Sequence, residues 1–278
     1  MLFRSVNASY QIGCKQVQNG NSVYVYTTDS CKERLKFQNT NYNVNVNGIK
    51  VNYFKNLSNT IKAKTLVDTP ITAANYIRKD ISNHDIIHIH EHRQTLAIIT
   101  CHYARKNNIP YIVQAHGSVL PFFQKEKLKE IYDKFWGFNT LHNADKVFAL
   151  TEIEKQQYIK MGVSPEKIEI VPLGINLEEY SKLPIKGQFR KKHNIQEEDT
   201  LLIFIGRLHK IKGLDLLIEA FDELIKTNKN DNIKLAIIGP DDGFLPEIQK
   251  LIKQKGLNKQ IIITGPLYKQ EKQEALTD

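Results

Sequence analysis

The 278-residue sequence is poor in the residues that cross-link a chain or hold it in a membrane. Its three cysteines, Cys14, Cys31 and Cys101, are odd in number and form no C-x-x-C pair, which argues against a disulfide framework and against a cysteine zinc site. No uncharged run approaches the roughly 20 apolar residues of a membrane-spanning helix, and the N-terminal residues lack the long apolar core of a signal peptide. We therefore expect a cytoplasmic protein in a reducing setting.

Acidic residues are also in deficit, because 39 lysines and arginines face 30 aspartates and glutamates, for a formal net charge of +9. The excess favours anionic partners such as phosphorylated metabolites, acidic membrane surfaces or nucleic acid. Nucleic acid has the least support, since the lysines are spread over many segments and no recognised binding module is present. We expect no nucleic-acid partner.

The chain does contain a series of short apolar runs, separated by longer polar or amphipathic segments. The runs are rich in Ile and Val and lack strict alternation, which is typical of strands buried on both faces of a parallel sheet. They cover residues 22–28, 85–90, 110–114, 146–150, 168–172, 201–205, 234–239 and 261–265. The pattern predicts an α/β fold.

Local signals predict two helices, and a hairpin or loop pair, between these runs. Thr151 is placed as an N-cap with Glu154 three residues later, as in a capping box, and Gly162 ends that helix. Apolar residues between 214 and 225 recur at helical spacing. Asn47-Gly48 lies between alternating residues, which is typical of a hairpin turn.

A polar segment over residues 177–200 breaks at Pro184 and Gly187 and separates two groups of strand-helix units. We place a domain boundary near its start. One domain is expected over residues 1–180 and a second over residues 181–278.

The stretch HDIIHIHEHR contains His84, His88, His90 and His92, so a metal centre has to be considered. A histidine metal site normally includes Asp, Glu and further His residues at other strand ends, and no such series follows downstream. The pattern therefore favours a histidine-rich strand end at a cleft, without a metal.

His116 and Gly117 follow the apolar run 110–114, at a strand end where α/β sheets bind ligands. The glycine would let a ligand approach the backbone. A structural histidine is the alternative, and the residues alone leave both open.

The stretch FIGRLHKIKG, residues 204–213, joins a strand to a helix through two glycines and several cations. It is not a P-loop, because the lysine precedes the second glycine and no Ser or Thr follows it. Arg207 and Lys212, with the free N–H groups of a helix N-terminus, suit a diphosphate. A solvated basic loop is the alternative.

The segment 119–137 combines apolar and aromatic residues with lysines. These are Phe122, Phe123, Ile131, Phe135 and Trp136 with Lys125, Lys127, Lys129 and Lys134. Such a basic amphipathic helix can lie on an anionic bilayer, at the inner face of the membrane for a cytoplasmic protein. The alternative is an ordinary helix whose aromatic residues pack inward.

Read in order, ADKVFALTEIEKQQYIKMGVSPEKIEIVPLGINLEEY and LLIFIGRLHKIKGLDLLIEAF resemble the retaining glycosyltransferases of family 4, which have the GT-B fold. The resemblance extends from DIIHIHEH and YIVQAHGS to LAIIGPDDG and IIITGPLYKQEKQEALTD, so it covers nearly the whole chain. Its most specific parts are the G-R-x5-G block with Lys212 and KIEIVPLGIN. The latter is similar to the family's V-P-N-G-V-D, with Leu173 in place of Asn and Asn176 in place of Asp.

The resemblance implies two Rossmann-like domains, the first holding the acceptor and the second a nucleotide sugar. It implies transfer of the sugar with retention, from a UDP-, GDP- or ADP-sugar, without a metal or other cofactor. The acceptor would be a glycan, a lipid-linked sugar or a small molecule.

The resemblance also implies roles for individual residues. Arg207 and Lys212 would bind the donor diphosphate and stabilise the leaving group, and Gly206 would let the strand end approach the phosphates. His116 would contact the donor sugar. The backbone around Gly265 and Leu267 would lie near the nucleobase.

Two departures from the family pattern concern the chain ends. The family's first strand and glycine-rich loop would precede the chain, and its E-x7-E motif would follow Asp278. Glu271 and Glu274, only three residues apart, do not replace that motif. We therefore expect an incomplete C-terminal domain and weak or no transfer by this chain alone. The alternative is a non-catalytic fragment or an acceptor- or partner-binding remnant.

Overall fold

The computed structural model describes residues 4–30, 41–58, 60, 62, 68–121, 126–228 and 232–278. Cys31, Phe122, Phe123 and Lys125, which enter the expectations above, lie outside these residues. The chain forms two compact units, Leu2–Ile175 and Asn176–Asp278. Each unit is described by itself below.

The first unit begins with a helix and a three-stranded sheet. The elements are α1 (Arg4–Gln18), β1 (Tyr24–Thr28), β2 (Asn41–Val46) and β3 (Ile49–Phe54). The strand order is β1-β3-β2, with β1 parallel and β2 antiparallel to β3. The predicted hairpin is confirmed: Asn47 (φ 50°) and Gly48 (φ 85°) both have the positive φ of a tight two-residue turn.

A four-stranded parallel sheet in the order β4-β5-β6-β7 forms the rest of the first unit. Its strands are β4 (Ile87–His90), β5 (Tyr111–Gln114), β6 (Lys146–Ala149) and β7 (Ile168–Ile170). Its helices are α2 (Ala73–Asp80), α3 (Thr95–Lys106), α4 (Glu126–Tyr132), α5 (Phe138–His142) and α6 (Glu152–Lys160). Short 3₁₀ turns cover Ile81–Asn83 and Pro165–Lys167, and a π-helical turn, Asp133–Gly137, joins α4 to α5. Val113 and Val147 are fully buried in a core to which Tyr158 of α6 also belongs.

The second unit is a three-stranded parallel sheet with helices between its strands. The strands are β8 (Thr200–Ile205), β9 (Ile233–Ile238) and β10 (Ile261–Gly265), in the order β10-β9-β8. The helices are α7 (Gln188–Lys192), α8 (Leu214–Asn228), α9 (Leu245–Gln254) and α10 (Lys269–Thr277), with 3₁₀ turns at Leu177–Tyr180 and Lys210–Lys212. Ile218 and Phe221 of α8 share a buried cluster with Leu235 of β9.

All eight apolar runs predicted as strands are strands, and the predicted α/β class is confirmed. The helix predicted from the apolar spacing at 214–225 is α8, although Leu224 at the end of its stripe is 36% exposed. Within the described residues, no helix is both long and apolar enough to cross a bilayer.

Candidate functional site

His116 lies just after β5, at the carboxyl end of the four-stranded sheet of the first unit, and it is buried. Its φ of 53° is in the left-handed region, which costs a non-glycine residue of order 1–3 kcal/mol. Gly117 follows with a φ of 88°. Two consecutive left-handed residues persist only where the surrounding structure holds them, so the contacts of this turn matter.

Helix α6 holds the backbone on both sides of His116. The Ala115 N–H donates to Tyr158 Oη over 2.8 Å, and the Gly117 N–H donates to Glu154 Oε1 over 2.6 Å. Glu154 and Tyr158 are buried and lie one helical turn apart, on the same face of the helix. We call this pair of contacts the α6 clamp.

The predicted N-cap of this helix is confirmed, because Thr151 Oγ1 accepts from the Glu154 N–H over 3.2 Å. The reciprocal half of the predicted capping box is wrong. Glu154 Oε2 accepts from the Leu150 N–H over 2.5 Å, and its other oxygen bonds Gly117. The carboxylate therefore joins the ends of β5 and β6, which gives it a larger structural role than a helix cap.

Three imidazoles, of His88, His90 and His116, lie against one another at the ends of β4 and β5, and we call them the histidine stack. The ring centroids of His88 and His90 are 4.1 Å apart, and those of His90 and His116 are 5.1 Å apart with an angle of 18° between the planes. His90 Nδ1 is 2.8 Å from His116 Nε2, which is hydrogen-bonding distance.

The charge state of the stack follows from its burial. Burial, and then the neighbouring histidines, lower the pKa of His90 to about 3. Burial and His116 likewise lower the pKa of His88 to about 4. Both rings are therefore neutral at physiological pH.

The four histidines of the HDIIHIHEHR stretch do not converge on one point. His84 contacts Tyr26 Oη (2.8 Å) and Asp80 Oδ2 (3.3 Å), and His92 Nε2 is 3.7 Å from Asp133 Oδ1. Among the residues that the structure describes, no group of three or more His, Cys, Asp or Glu side chains is arranged to hold a metal ion.

Arg93 ties the loop after His116 to the π-helical turn. Its Nη2 donates to Val119 O (2.7 Å) and Asp133 Oδ2 (2.6 Å), and its Nη1 donates to Ser118 O. Burial opposes the charge of Asp133, but the nearby His92 and the Arg93 guanidinium outweigh it and hold the pKa of Asp133 below its ordinary value. A Cβ at Gly137 would be 2.3 Å from Asp133 Oδ1, so glycine leaves the room this carboxylate needs.

Sequence reasoning missed Arg93 and Asp133, which are 40 residues apart. An available signal was the position of Asp133 within the apolar and aromatic stretch of residues 131–136, since a carboxylate that packs among such residues requires a partner.

In the second unit, Gly206, Gly239 and Gly265 lie side by side at the carboxyl ends of β8, β9 and β10, and we call them the glycine edge. The Gly206 N–H donates to Ile238 O and the Gly239 N–H to Gly265 O, each over 2.9 Å. A Cβ at Gly239 would be 1.7 Å from Gly206 O, and Gly265 has a φ of 75°. The edge therefore presents peptide groups that a ligand can approach closely.

The basic loop predicted from FIGRLHKIKG begins at the glycine edge. Arg207 Nη1 is 2.5 Å from Asp242 Oδ2, and both side chains are more than one third exposed. Exposed ion pairs contribute little to stability, so this contact can be exchanged for a phosphate at small cost. Lys212 ends the 3₁₀ turn Lys210–Lys212, and Gly213 (φ 64°) leads into the N-terminus of α8.

Leu267 packs against the buried cluster that contains Phe189 and Ala275. Its side chain is partly buried against that cluster, and the contact that the sequence predicts for it is through its backbone. The structure places Gly206, Arg207, Lys212, Gly265 and Leu267 in the second unit and His116 in the first.

The segment predicted as a basic amphipathic helix is two helices joined by the π-helical turn. Tyr132, Asp133 and Gly137 are buried, whereas Ile131 (55%), Phe135 (63%) and Trp136 (46%) are exposed, as are Lys127 and Lys134. The inward-packing alternative is therefore wrong for these three apolar side chains. We call the exposed group the aromatic face.

In comparisons with known proteins, both units match glycosyltransferases. The family model described as "Glycosyltransferase Family 4" matches residues 8–179, and that described as "Glycosyl transferases group 1" matches residues 185–278. A D-inositol 3-phosphate glycosyltransferase of Kineococcus radiotolerans is 27% identical over 103 residues, which are 36% of this chain and 24% of that protein. The match thus spans about a quarter of that relative's length.

Two solved structures share the fold. Anabaena HepE in complex with UDP-glucose has a TM-score of 0.61 at 15% identity, covering 80% of this chain and 57% of that one. A glycosyltransferase from Rickettsia africae has a TM-score of 0.68 at 16% identity, covering 98% of this chain and 67% of that one. The structural neighbours are GT-B glycosyltransferases, in agreement with the predicted fold.

Proposed function

The chain belongs to glycosyltransferase family 4, and from this premise we propose that it transfers a sugar from a nucleotide-sugar donor to an acceptor. The observation that carries the proposal is the glycine edge with its adjoining basic loop. Peptide groups at the carboxyl end of a parallel sheet, two cations and a helix N-terminus together suit a diphosphate. The UDP-glucose complex of HepE makes UDP the first diphosphate to test, before GDP and ADP.

In the reaction, the bond between the anomeric carbon and the donor phosphate breaks, and the acceptor hydroxyl oxygen forms a new bond to that carbon. The nucleoside diphosphate leaves with the bonding electron pair, and the acceptor proton passes to the departing phosphate. Arg207 and Lys212 stabilise the charge that develops on the leaving group, which is the most effective use of fixed cations.

His116 contacts the donor sugar, and the backbone of Gly206, Gly265 and Leu267 contacts the rest of the donor. No metal or other cofactor is part of this proposal. Retention of the anomeric configuration is proposed from the family resemblance alone. The acceptor is a hydroxyl of a glycan, a lipid-linked sugar or a small molecule.

Calorimetry with UDP, GDP and ADP on the purified chain tests the donor site. We expect one diphosphate to bind, and the Arg207→Ala and Lys212→Ala variants to bind it about 10- to 100-fold more weakly, because a hydrogen bond to a charged group contributes about 1.5–3 kcal/mol. Lys253→Ala, which removes an exposed cation of α9, is the matched control and should bind as the unmodified chain does. Equal affinity in all four proteins would contradict the proposed site.

Transfer itself is tested by following the release of UDP from UDP-glucose in the presence of glycan, lipid and small-molecule acceptor fractions. Acceptor-dependent UDP release with a product that retains the donor's anomeric configuration by NMR would support the proposal. Diphosphate binding without release for any acceptor would favour the non-catalytic alternative.

A second proposal concerns the aromatic face, which would contact an anionic membrane surface. Ile131, Phe135 and Trp136 supply apolar and aromatic groups, and the exposed Lys127 and Lys134 supply positive charge for acidic headgroups. A cytoplasmic location, which the cysteine content favours, places the contact at the inner face of the membrane.

Sedimentation with phospholipid vesicles tests the membrane contact. Vesicles that contain phosphatidylglycerol should carry down the chain and phosphatidylcholine vesicles should not, and a Phe135→Ser/Trp136→Ser variant should stay in solution. Leu216→Ser, which removes an equally exposed apolar side chain (69%) from α8, is the control. Binding that is unchanged in the double variant would refute the assignment.

A further inference from the structure

The hydrogen bond between His90 and His116 constrains both rings. A neutral imidazole has one N–H donor and one acceptor nitrogen, so one ring must donate to the other. If His90 Nδ1 carries the hydrogen, His116 Nε2 accepts and the hydrogen of His116 is on Nδ1; the opposite choice reverses both rings. The tautomers of the two residues are therefore linked through the 2.8 Å contact.

The surroundings of His90 keep it neutral and in place. His90 is held between His88, at 4.1 Å, and His116, at 5.1 Å between ring centroids. Phe148 of β6 contacts His88, with ring centroids 5.6 Å apart. His90 is neutral, so it brings one N–H donor and one acceptor nitrogen to its contact with His116.

The α6 clamp and His90 act on different parts of His116. The clamp holds the peptide groups before and after His116 and so fixes its backbone. Neither of these two bonds involves the imidazole ring of His116. The hydrogen bond between the two rings acts on the side chain of His116, and it links the nitrogen that carries the hydrogen in His116 to the one that carries it in His90.

We infer that His90 is a positioning residue, which fixes the ring plane and the tautomer of His116 for its contact with the donor sugar. The inference rests on the proposed function for the role of His116, while the link between the two rings is independent of it. A contact that acts in the transition state has to be held to a fraction of an ångström, since a displacement of about 1 Å can lower a rate about 100-fold.

Three variants separate this role from simple packing. His90→Phe keeps a planar ring in the stack and deletes the hydrogen bond. His90→Asn places an amide group near the position of Nδ1 and restores a partner for His116. His102→Asn removes an exposed histidine of α3 and is the matched control.

The first measurement is the ¹⁵N NMR spectrum of histidine-labelled protein, in which the two ring nitrogens report the tautomer of each residue. The signals of His116 are identified by their loss in His116→Gln. We expect one fixed tautomer in the unmodified chain, in His90→Asn and in His102→Asn, and averaged nitrogen shifts in His90→Phe. The same fixed His116 tautomer in His90→Phe would overturn the inference, whether or not the chain transfers sugar.

The second measurement is the transfer rate. For His90→Phe we expect kcat to fall about 10- to 100-fold with the diphosphate Kd unchanged, and for His90→Asn we expect most of the rate to return. A kcat that is equal in His90→Phe and the unmodified chain would also overturn the inference. If the unmodified chain transfers no sugar while its His116 tautomer depends on His90, the result favours the non-catalytic alternative and the positioning of His116 by His90 stands.

Discussion

The neutral imidazoles of His88 and His90 make the stability of the first unit depend on pH. His88 and His90 have a pKa of about 4 and about 3 in the folded protein, against 6.5 when unfolded. Below pH 6.5 the unfolded state therefore binds more protons, and the free energy of unfolding must fall with falling pH. The stabilisation is present above pH 6.5 and is lost toward pH 4 and below.

The size of the effect follows from the two pKa values. Between pH 7 and pH 5, each of these two histidines lowers the free energy of unfolding by about 2 kcal/mol, because a shift of one pKa unit is equivalent to about 1.4 kcal/mol. Together His88 and His90 account for a loss of about 4 kcal/mol over this interval. A His90→Asn variant should lose only the contribution of His88 to the free energy of unfolding over this interval, about 2 kcal/mol. The cavity left by the smaller side chain lowers the free energy of unfolding equally at both pH values. Its cost therefore cancels when the value at pH 5 is subtracted from the value at pH 7.

The assay is urea unfolding at pH 7 and pH 5, followed by the fluorescence of Trp136. This is the only tryptophan of the chain and lies in the same unit as His90, so it reports that unit. His102→Asn is the control and should lose as much stability as the unmodified chain. If His90→Asn also loses as much as the unmodified chain, His90 is not neutral in the folded protein and the reasoning is wrong.

Further substitutions test other contacts. Glu154→Gln should lower the free energy of unfolding of the first unit by about 1.5–3 kcal/mol, because one oxygen cannot replace a carboxylate that accepts two N–H groups; an unchanged urea midpoint would contradict this. Gly239→Ala should destabilise the second unit by at least about 1–3 kcal/mol, since its Cβ would overlap Gly206 O, and hydrogen exchange of the β9 amides measures the loss. Asp133→Ala should lower the free energy of unfolding by about 3–5 kcal/mol, because it leaves the largely buried Arg93 without a carboxylate. The double variant Arg93→Met/Asp133→Leu should lower it clearly less, and equal losses in the two variants would refute the ion-pair explanation.

The strands were predictable from the sequence because a strand buried on both faces needs little more than a short apolar run. The runs at 85–90 and 110–114 are of this kind, and their register as β4 and β5 places His90 opposite Gln114, beside His116. The expectation of a histidine-rich strand end at a cleft, without a metal, came from the same pattern. The site assignments of His116, Arg207 and Lys212 stay predictions.

The contacts that hold the candidate site were not predictable, because they join residues far apart in the chain. The capping-box pattern located Glu154 correctly at the start of α6, but its bond to Gly117 spans 37 residues. The exposure of Phe135 and Trp136 was also open, since the same amphipathic pattern fits burial or exposure of the aromatic side. The π-helical turn determines which of these side chains are exposed. Glycine at position 137 leaves room in that turn for the carboxylate of Asp133.

The glycine edge has a consequence for how such a protein can change over evolutionary time. Three neighbouring strand ends present peptide groups and no side chains, and at Gly239 even a methyl group would collide with the adjacent strand. The glycine edge therefore offers no side chain whose replacement could change which ligand is preferred. New preferences are expected in the loops that leave it, at residues 207–213, 240–244 and 266–268, while position 239 is held to glycine wherever the strands keep their present spacing.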